Sequence, residues 1–297
     1  MRGANRPPRS TQFWLEALRR RRARIEGDAP FSSEPIHFDS ELEREAAVRF
    51  FNAALRAEES GLTQAHALAE QFEPLDSDLA EVLRLYGDEE GWHKQLLLEF
   101  LPLFGGEVRP MGRVTRTFYR LYGRAKRIDT ILLTNLMFET IGATTYRLAL
   151  GTVKEPQAQL MLRVLAQDEA FHIPLNVHFL RQAILRDGQP EARLKWVFLL
   201  LYLSLGLLPW ASRPKARAFD RISAPVLALA YLEALGKVFE SETGLGLRPP
   251  RWPRSLLRRI VGKESSSKIN RAAALPDFDS GAAERPLAEK VLPEILG

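Results

Sequence analysis

Two short segments place an acidic residue before Glu-x-x-His: Glu89-Glu90-Gly91-Trp92-His93 and Asp168-Glu169-Ala170-Phe171-His172. On a helix, positions i and i+3 share a face, so each segment sets one carboxylate beside one imidazole. The chain has five histidines in all (His37, His66, His93, His172 and His178), so chance is a poor account of two matched copies. It has no cysteine, which excludes disulfides, thiolate nucleophiles and cysteine-held clusters. Any metal must therefore rest on nitrogen and oxygen donors.

Two further carboxylates complete a ligand set. Glu139 stands alone in the apolar stretch Leu136-Met137-Phe138-Glu139-Thr140-Ile141. An ionised glutamate buried there needs a cation or a hydrogen-bond partner. Glu58 lies on the apolar face that runs through Phe51, Ala54, Leu55, Leu62 and Ala65. Glu59, at the edge of that face, is its substitute. A weak internal repeat pairs Glu58 with Glu139 and Gly61 with Gly142, and Glu58–Glu90 and Glu139–Glu169 are separations of 32 and 30 residues. Each half thus supplies one glutamate followed by Glu-x-x-His.

Four carboxylates and two imidazoles suit two iron ions, because hard carboxylates stabilise Fe(III) and one imidazole per metal leaves positions open for dioxygen. Manganese–iron and dimanganese centres fit the same donors. Structural zinc favours a closed four-coordinate site and does not.

The elements that must carry these residues are helices. Strand alternation is absent, and no Asn-Gly or Asp-Gly turn joins strand-like runs. Helices are predicted over Thr11–Arg24, from a Ser40 cap with Glu43 to about Glu70, and from Asp76–Asp78 to Gly105-Gly106. Two more run from an Asp129 cap to Gly151 and from Pro156 to Asp187-Gly188, the last with Pro174 inside it. Short links make two antiparallel hairpins, and the link Gly105–Ile128 can traverse a bundle. Glu191–Leu208 and Ala218–Glu240 are predicted as further helices, while the chain from Arg248 is rich in Pro, Arg and Ser, a composition that leaves its order open. The expected division is 1–38, a basic helix and loop; 39–187, the metal-binding bundle; 188–247, apolar helices; and 248–297, a tail.

The formal charge is +5, concentrated in Arg19–Arg22 with Arg24 and in Arg113, Arg116, Arg120, Arg124, Lys126 and Arg127. Solvated helix faces are the first reading of both clusters, ahead of an anionic lipid or acidic partner; nucleic acid is not an expected partner. Met1–Ser10 lacks the apolar stretch of an export signal, so a cytoplasmic location is expected. The longest apolar run, Trp196–Trp210, spans 15 positions. That is about 22 Å of helix against a bilayer core of about 30 Å. It is predicted as a buried helix, with an in-plane helix on the inner face of the membrane as the competing reading.

From about Ser40 to Arg186 this pattern resembles the ferritin-like carboxylate di-metal superfamily. That group includes ferritins, rubrerythrins, soluble acyl-carrier-protein desaturases, hydrocarbon monooxygenases and arylamine N-oxygenases. The acidic residue before each motif is similar to the Asp-Glu-x-x-His of the desaturases and monooxygenases. The N-oxygenases carry an extra histidine where Leu165 stands here, which counts against that branch. The resemblance implies an all-α four-helix bundle with metal ligands Glu58, Glu90, His93, Glu139, Glu169 and His172. Glu89 and Asp168 would orient the histidines. Tyr146, seven residues after Glu139 on the same helix face, is read first as core packing, with lining the cavity or a redox-active role as the alternatives.

The implied activity is a di-iron oxygenase that uses O2 to hydroxylate, desaturate or otherwise oxidise an organic substrate, such as a hydrophobic small molecule, a lipid or a carrier-bound acyl chain. Dioxygen takes four electrons and a hydroxylation supplies two, so an external ferredoxin or reductase is implied. The alternatives are a ferroxidase or peroxide-detoxifying protein, and a non-catalytic helical binding module.

Overall fold

The computed structural model describes residues 9–22, 29, 31–112, 116–117, 120, 125–187, 192–212, 216–241, 245–262 and 269. Arg24, Arg113, Arg124, Gly188 and Glu191 lie outside them, as does most of the expected tail beyond Gly262. Every regular element among the described residues is helical.

Helix α1 (Thr11–Arg21) opens where the Ser10 hydroxyl accepts from the Phe13 amide at 3.2 Å. Helix α2 (Glu41–Phe72) opens on the predicted cap, with Ser40 Oγ accepting from the Glu43 amide at 3.2 Å. Asp76 caps α3 (Ser77–Phe100) through the Leu79 amide. A 3-10 turn, Leu101–Phe104, then ends at Gly105, whose φ of 66° suits glycine.

Helix α4 (Ile128–Leu150) starts after Arg127, and Asp129 is not its cap. The Asp129 carboxylate instead sits in the first turn and pairs with Arg127 and Arg193, at 3.1 and 3.0 Å. Helix α5 (Pro156–Asp187) starts on its proline and carries Pro174 inside. Helix α6 (Ala192–Ser212) follows. The predicted helix Ala218–Glu240 is split into a single turn at Arg217–Asp220 and α7 (Ala224–Ser241), because Arg221 adopts a φ of 56° between them. Helix α8 (Trp252–Val261) lies in the Pro- and Arg-rich segment from Arg248, whose composition leaves its order open.

Helix α2 packs along α3, and α4 along α5, while α2 and α4 touch only briefly. Helix α1 lies on α3, α7 lies on α4, and both α6 and α8 pack on α7. An aromatic cluster of Phe51, Phe100, Phe104 and Phe219 fills one end of the α2/α3 hairpin. Buried Asn52 ties the following link to α2: its amide donates to the Glu107 carbonyl at 3.0 Å, and its oxygen accepts from the Arg109 amide at 2.7 Å.

Candidate metal centre

Helices α2, α3, α4 and α5 each bring one glutamate to a common interior point: Glu58, Glu90, Glu139 and Glu169, all buried. Helices α3 and α5 also bring His93 and His172, with no solvent exposure at either ring. Glu58, Glu90, His93 and Glu169 each offer a ligand atom within 4.8 Å of the others, and so do Glu90, Glu139 and His172. Each group can hold a metal ion, and Glu90 belongs to both.

The two imidazoles are held alike. His93 Nδ1 faces Glu58 Oε2 at 3.2 Å, and His172 Nδ1 lies 2.9 Å from Glu90 Oε1 and 3.4 Å from Glu139 Oε2. Their outer nitrogens cross over. His93 Nε2 meets Asp168 of α5 at 3.0 Å, and His172 Nε2 meets Glu89 of α3 at 3.0 Å. Among the described residues, Glu90 Oε1, Glu139 Oε2 and His172 Nδ1 are buried without a hydrogen bond of acceptable direction. Atoms set this close yet not aimed at one another are placed as donors sharing a cation are placed.

A third layer comes from α1. Arg21 Nε and Nη2 donate to the two oxygens of Glu89 at 2.7 and 3.0 Å, and Nη2 also donates to Asp168 at 2.9 Å. One guanidinium thus clamps both outer carboxylates, with its carbon 4.0 Å from the centre of the Phe171 ring. This corrects the reading of Arg19–Arg22 as a solvated face: Arg21 is 3% exposed. The signal was its spacing, since Arg21 continues the buried row Trp14, Ala17, Leu18.

Two tyrosines attend the glutamates outside the Glu-x-x-His motifs. Tyr86 donates to Glu139 Oε1 at 2.7 Å, and Tyr146 donates to Glu58 Oε1 at 3.0 Å. Tyr146, read first as core packing, is buried and bonds Glu58 beside the centre. Tyr86, one turn before Glu90, was missed, and its spacing on the ligand face was the available signal. Glu59 does not substitute for Glu58; it pairs with Arg56 and Lys94 at 2.7 and 3.1 Å. His66 pairs with Asp88 on the surface, and His178 bonds Thr11 Oγ1 of α1 at 3.2 Å. Burial pushes His178 down to about 4, with Arg181 adding to it, so it is neutral.

Crowding sets the charges. Burial, then the nearby Glu139 charge, raises Glu90 and Glu169 well above the usual carboxylate range. Burial works the same way on Glu139, but its bond with Glu169 and the nearness of His172 outweigh it and hold that carboxyl at about 2. Burial disfavours a charged His93, yet its bonds to Asp168 and Glu58 raise it to about 10. His172 is raised too, against burial, first by the Glu90 charge. In protein stripped of metal, protons on Glu90, Glu169 and the imidazoles therefore offset the excess negative charge near neutral pH.

Cations must displace those protons. Divalent metal binding is expected to release more than one proton per chain, and apparent affinity should rise roughly tenfold per pH unit for each proton released. Titration calorimetry in buffers of different ionisation heat reads the number directly; a pH-independent affinity would contradict the arrangement.

Only the first glycine of the internal repeat has a steric reason. A Cβ on Gly61 would sit 2.6 Å from Glu90 Oε2, and one on Gly142 would meet Glu169 at 3.9 Å. The glycine keeps α2 clear of the carboxylate common to both groups. Gly61→Ala is expected to weaken metal binding roughly 10- to 100-fold, although alanine is the better helix former. Metal titration of the variant tests this; unchanged affinity would show that Glu90 has room to spare.

Where α2 and α4 diverge, a narrow cleft reaches the centre. It measures about 440 Å³ with its open mouth included. Ser60, Gly61, Asn135, Phe138 and Gly142 form its walls, and Glu58, Glu90, Glu139, Tyr146 and Glu169 line it as well.

Comparison with protein-family models, with curated proteins and with solved structures finds no match for this chain. The functional reading rests on the side chains themselves.

Proposed function

We propose that the chain is a ferritin-like four-helix protein that holds two iron ions and uses dioxygen to oxidise an organic substrate. The observation that carries this reading is the position of Glu90 in two adjacent metal-competent groups. A carboxylate has two oxygens and can bridge two ions, and four glutamates balance two divalent cations with both imidazoles neutral. The order of the elements supports the fold family: two hairpins, each with a glutamate on its first helix and Glu-x-x-His on its second, joined by a long connection.

Bound iron would supply the redox chemistry of dioxygen activation, with an external ferredoxin or reductase as electron donor. The chain's own residues prepare the site. Asp168 and Glu89 accept the Nε2–H of His93 and His172, which fixes the tautomer that turns each Nδ1 lone pair inward. Arg21 keeps those two carboxylates ionised and in place; its charge, against the effect of burial, holds Glu89 at about 2. Tyr86 and Tyr146 orient Glu139 and Glu58 from the sides. Trp92, Phe138 and Phe171 form apolar walls that limit water. The cleft between α2 and α4 gives dioxygen and a substrate group a way in. Manganese suits the same donors, so the metal is part of the test.

The test is oxygen consumption by protein loaded anaerobically with Fe(II). Wild type should consume dioxygen at least roughly tenfold faster than a Glu139→Ala/His172→Ala variant. Iron-loaded wild type that consumes it no faster than the variant would overturn the reading.

A further inference from the structure

Helix α6 is 21 residues long; Ala192–Ala211 passes by length and composition as a membrane span, and only 33% of its most apolar window is buried. This corrects the expectation of a buried helix. One face, with Leu194, Phe198, Tyr202 and Leu205, packs inward, and the Tyr202 hydroxyl donates to the Leu232 carbonyl of α7 at 3.3 Å. The opposite face presents Trp196, Leu200, Leu207 and Trp210 to the outside.

Helix α8 repeats the pattern in a sharper form. An amphipathic helix on a soluble protein buries its apolar stripe and exposes its charges. Here Arg254 is buried against Glu240 of α7, half-exposed Arg258 reaches Glu233 of the same helix, and Gly236 leaves the space that the Arg254 guanidinium fills. Trp252, Leu256 and Ile260, at i, i+4 and i+8, are left outside. The seven outward apolar residues of the two helices are each 44% to 67% exposed.

Exposed cations accompany these rows: Lys195 beside Trp196, Arg251 beside Trp252, and Arg259 beside Ile260. Tryptophans stand at both ends of the α6 row and at the start of the α8 row, where their rings suit the headgroup level of a bilayer. The inner faces of both helices are occupied by α7, so they can lie along a membrane and not cross it.

We propose that the outer faces of α6 and α8 form a docking surface for an anionic phospholipid bilayer. The rows insert to the headgroup boundary, and the flanking cations select negative lipid. The proposal is independent of the metal centre, and its test does not use enzymatic activity.

The full chain, purified without detergent, is mixed with sedimentable vesicles of phosphatidylcholine, with or without phosphatidylglycerol. Wild type should sediment with the anionic vesicles at least roughly tenfold more strongly than with neutral ones. Leu200→Glu/Leu256→Glu should lose at least roughly tenfold of that binding while keeping its helical signal and metal content. Wild type that stays in the supernatant, or that binds both vesicle types equally, would overturn the proposal. So would a stable dimer, formed without lipid and dispersed by the same variant, which would assign the face to a second copy of the chain.

Discussion

An Arg21→Ala protein is expected to lose about 3–5 kcal/mol of folding stability, the usual cost of removing one partner from a buried ion pair. Arg21, Glu89 and Asp168 are each under 5% exposed. Without the guanidinium, two carboxylates, one from α3 and one from α5, would face each other in a dry interior, each still bonded to an imidazole. The variant would therefore lose a buried countercharge shared by two carboxylates and not merely a contact.

Arg21→Lys keeps the charge but not the planar fork that reaches Glu89 twice and Asp168 once, so it should recover only part of the loss. The readout that separates orientation from plain stability is metal affinity under conditions where the variant remains folded. It should fall roughly 10- to 100-fold, because the outer carboxylates no longer fix His93 and His172. Denaturant unfolding that shows a loss below about 1 kcal/mol would place Arg21 among ordinary surface pairs.

Glu90→Gln is expected to act in the opposite sense on the two states of the protein. Glu90 touches both metal-competent groups, so the variant should lose most of its metal. Its metal-free form, however, should be at least as stable as wild type. Glu90 is raised well above the ordinary carboxylate range, by burial first and by the charge of Glu139 next. A raised carboxyl contributes stability below its unfolded value and loses it as pH rises through its folded value.

Glutamine resembles the protonated form at every pH, so the advantage of the variant should grow from acidic toward alkaline pH. Added metal should reverse the order. Ligand at 100 times its dissociation constant adds about 2.7 kcal/mol to a protein that binds it, and the variant forfeits that gain. Thermal melts with and without metal, at two pH values, resolve all four states. A metal-free Glu90→Gln that is much less stable than wild type would make Glu90 a structural residue.

The residues that converge were legible because their signal is local. Glu90 with His93, and Glu169 with His172, need only i,i+3 spacing, and Glu139 needs only an apolar neighbourhood that makes a charge costly. The all-helical class was legible for the same reason, through periodicity and caps such as Ser40 and Asp76.

What escaped notice depends on contacts between distant segments. Arg21 meets partners 68 and 147 residues away, and although its spacing continues the buried row of α1, no local pattern says which carboxylates it will meet. The crossed pairing of His93 with Asp168 and His172 with Glu89 depends on how α3 and α5 are rotated about their axes. Helix α8 was hidden because Arg254 turns toward the protein while Trp252, Leu256 and Ile260 form a row that faces out, against the usual placing of charged and apolar residues.

The measurement that bears most directly on the central claim is metal content by elemental analysis, on wild type produced with ample iron and on Glu139→Ala/His172→Ala prepared alongside it. The account predicts about two irons per wild-type chain and their loss from the variant. A folded wild-type chain that takes up no transition metal, even after anaerobic addition of Fe(II), would contradict it.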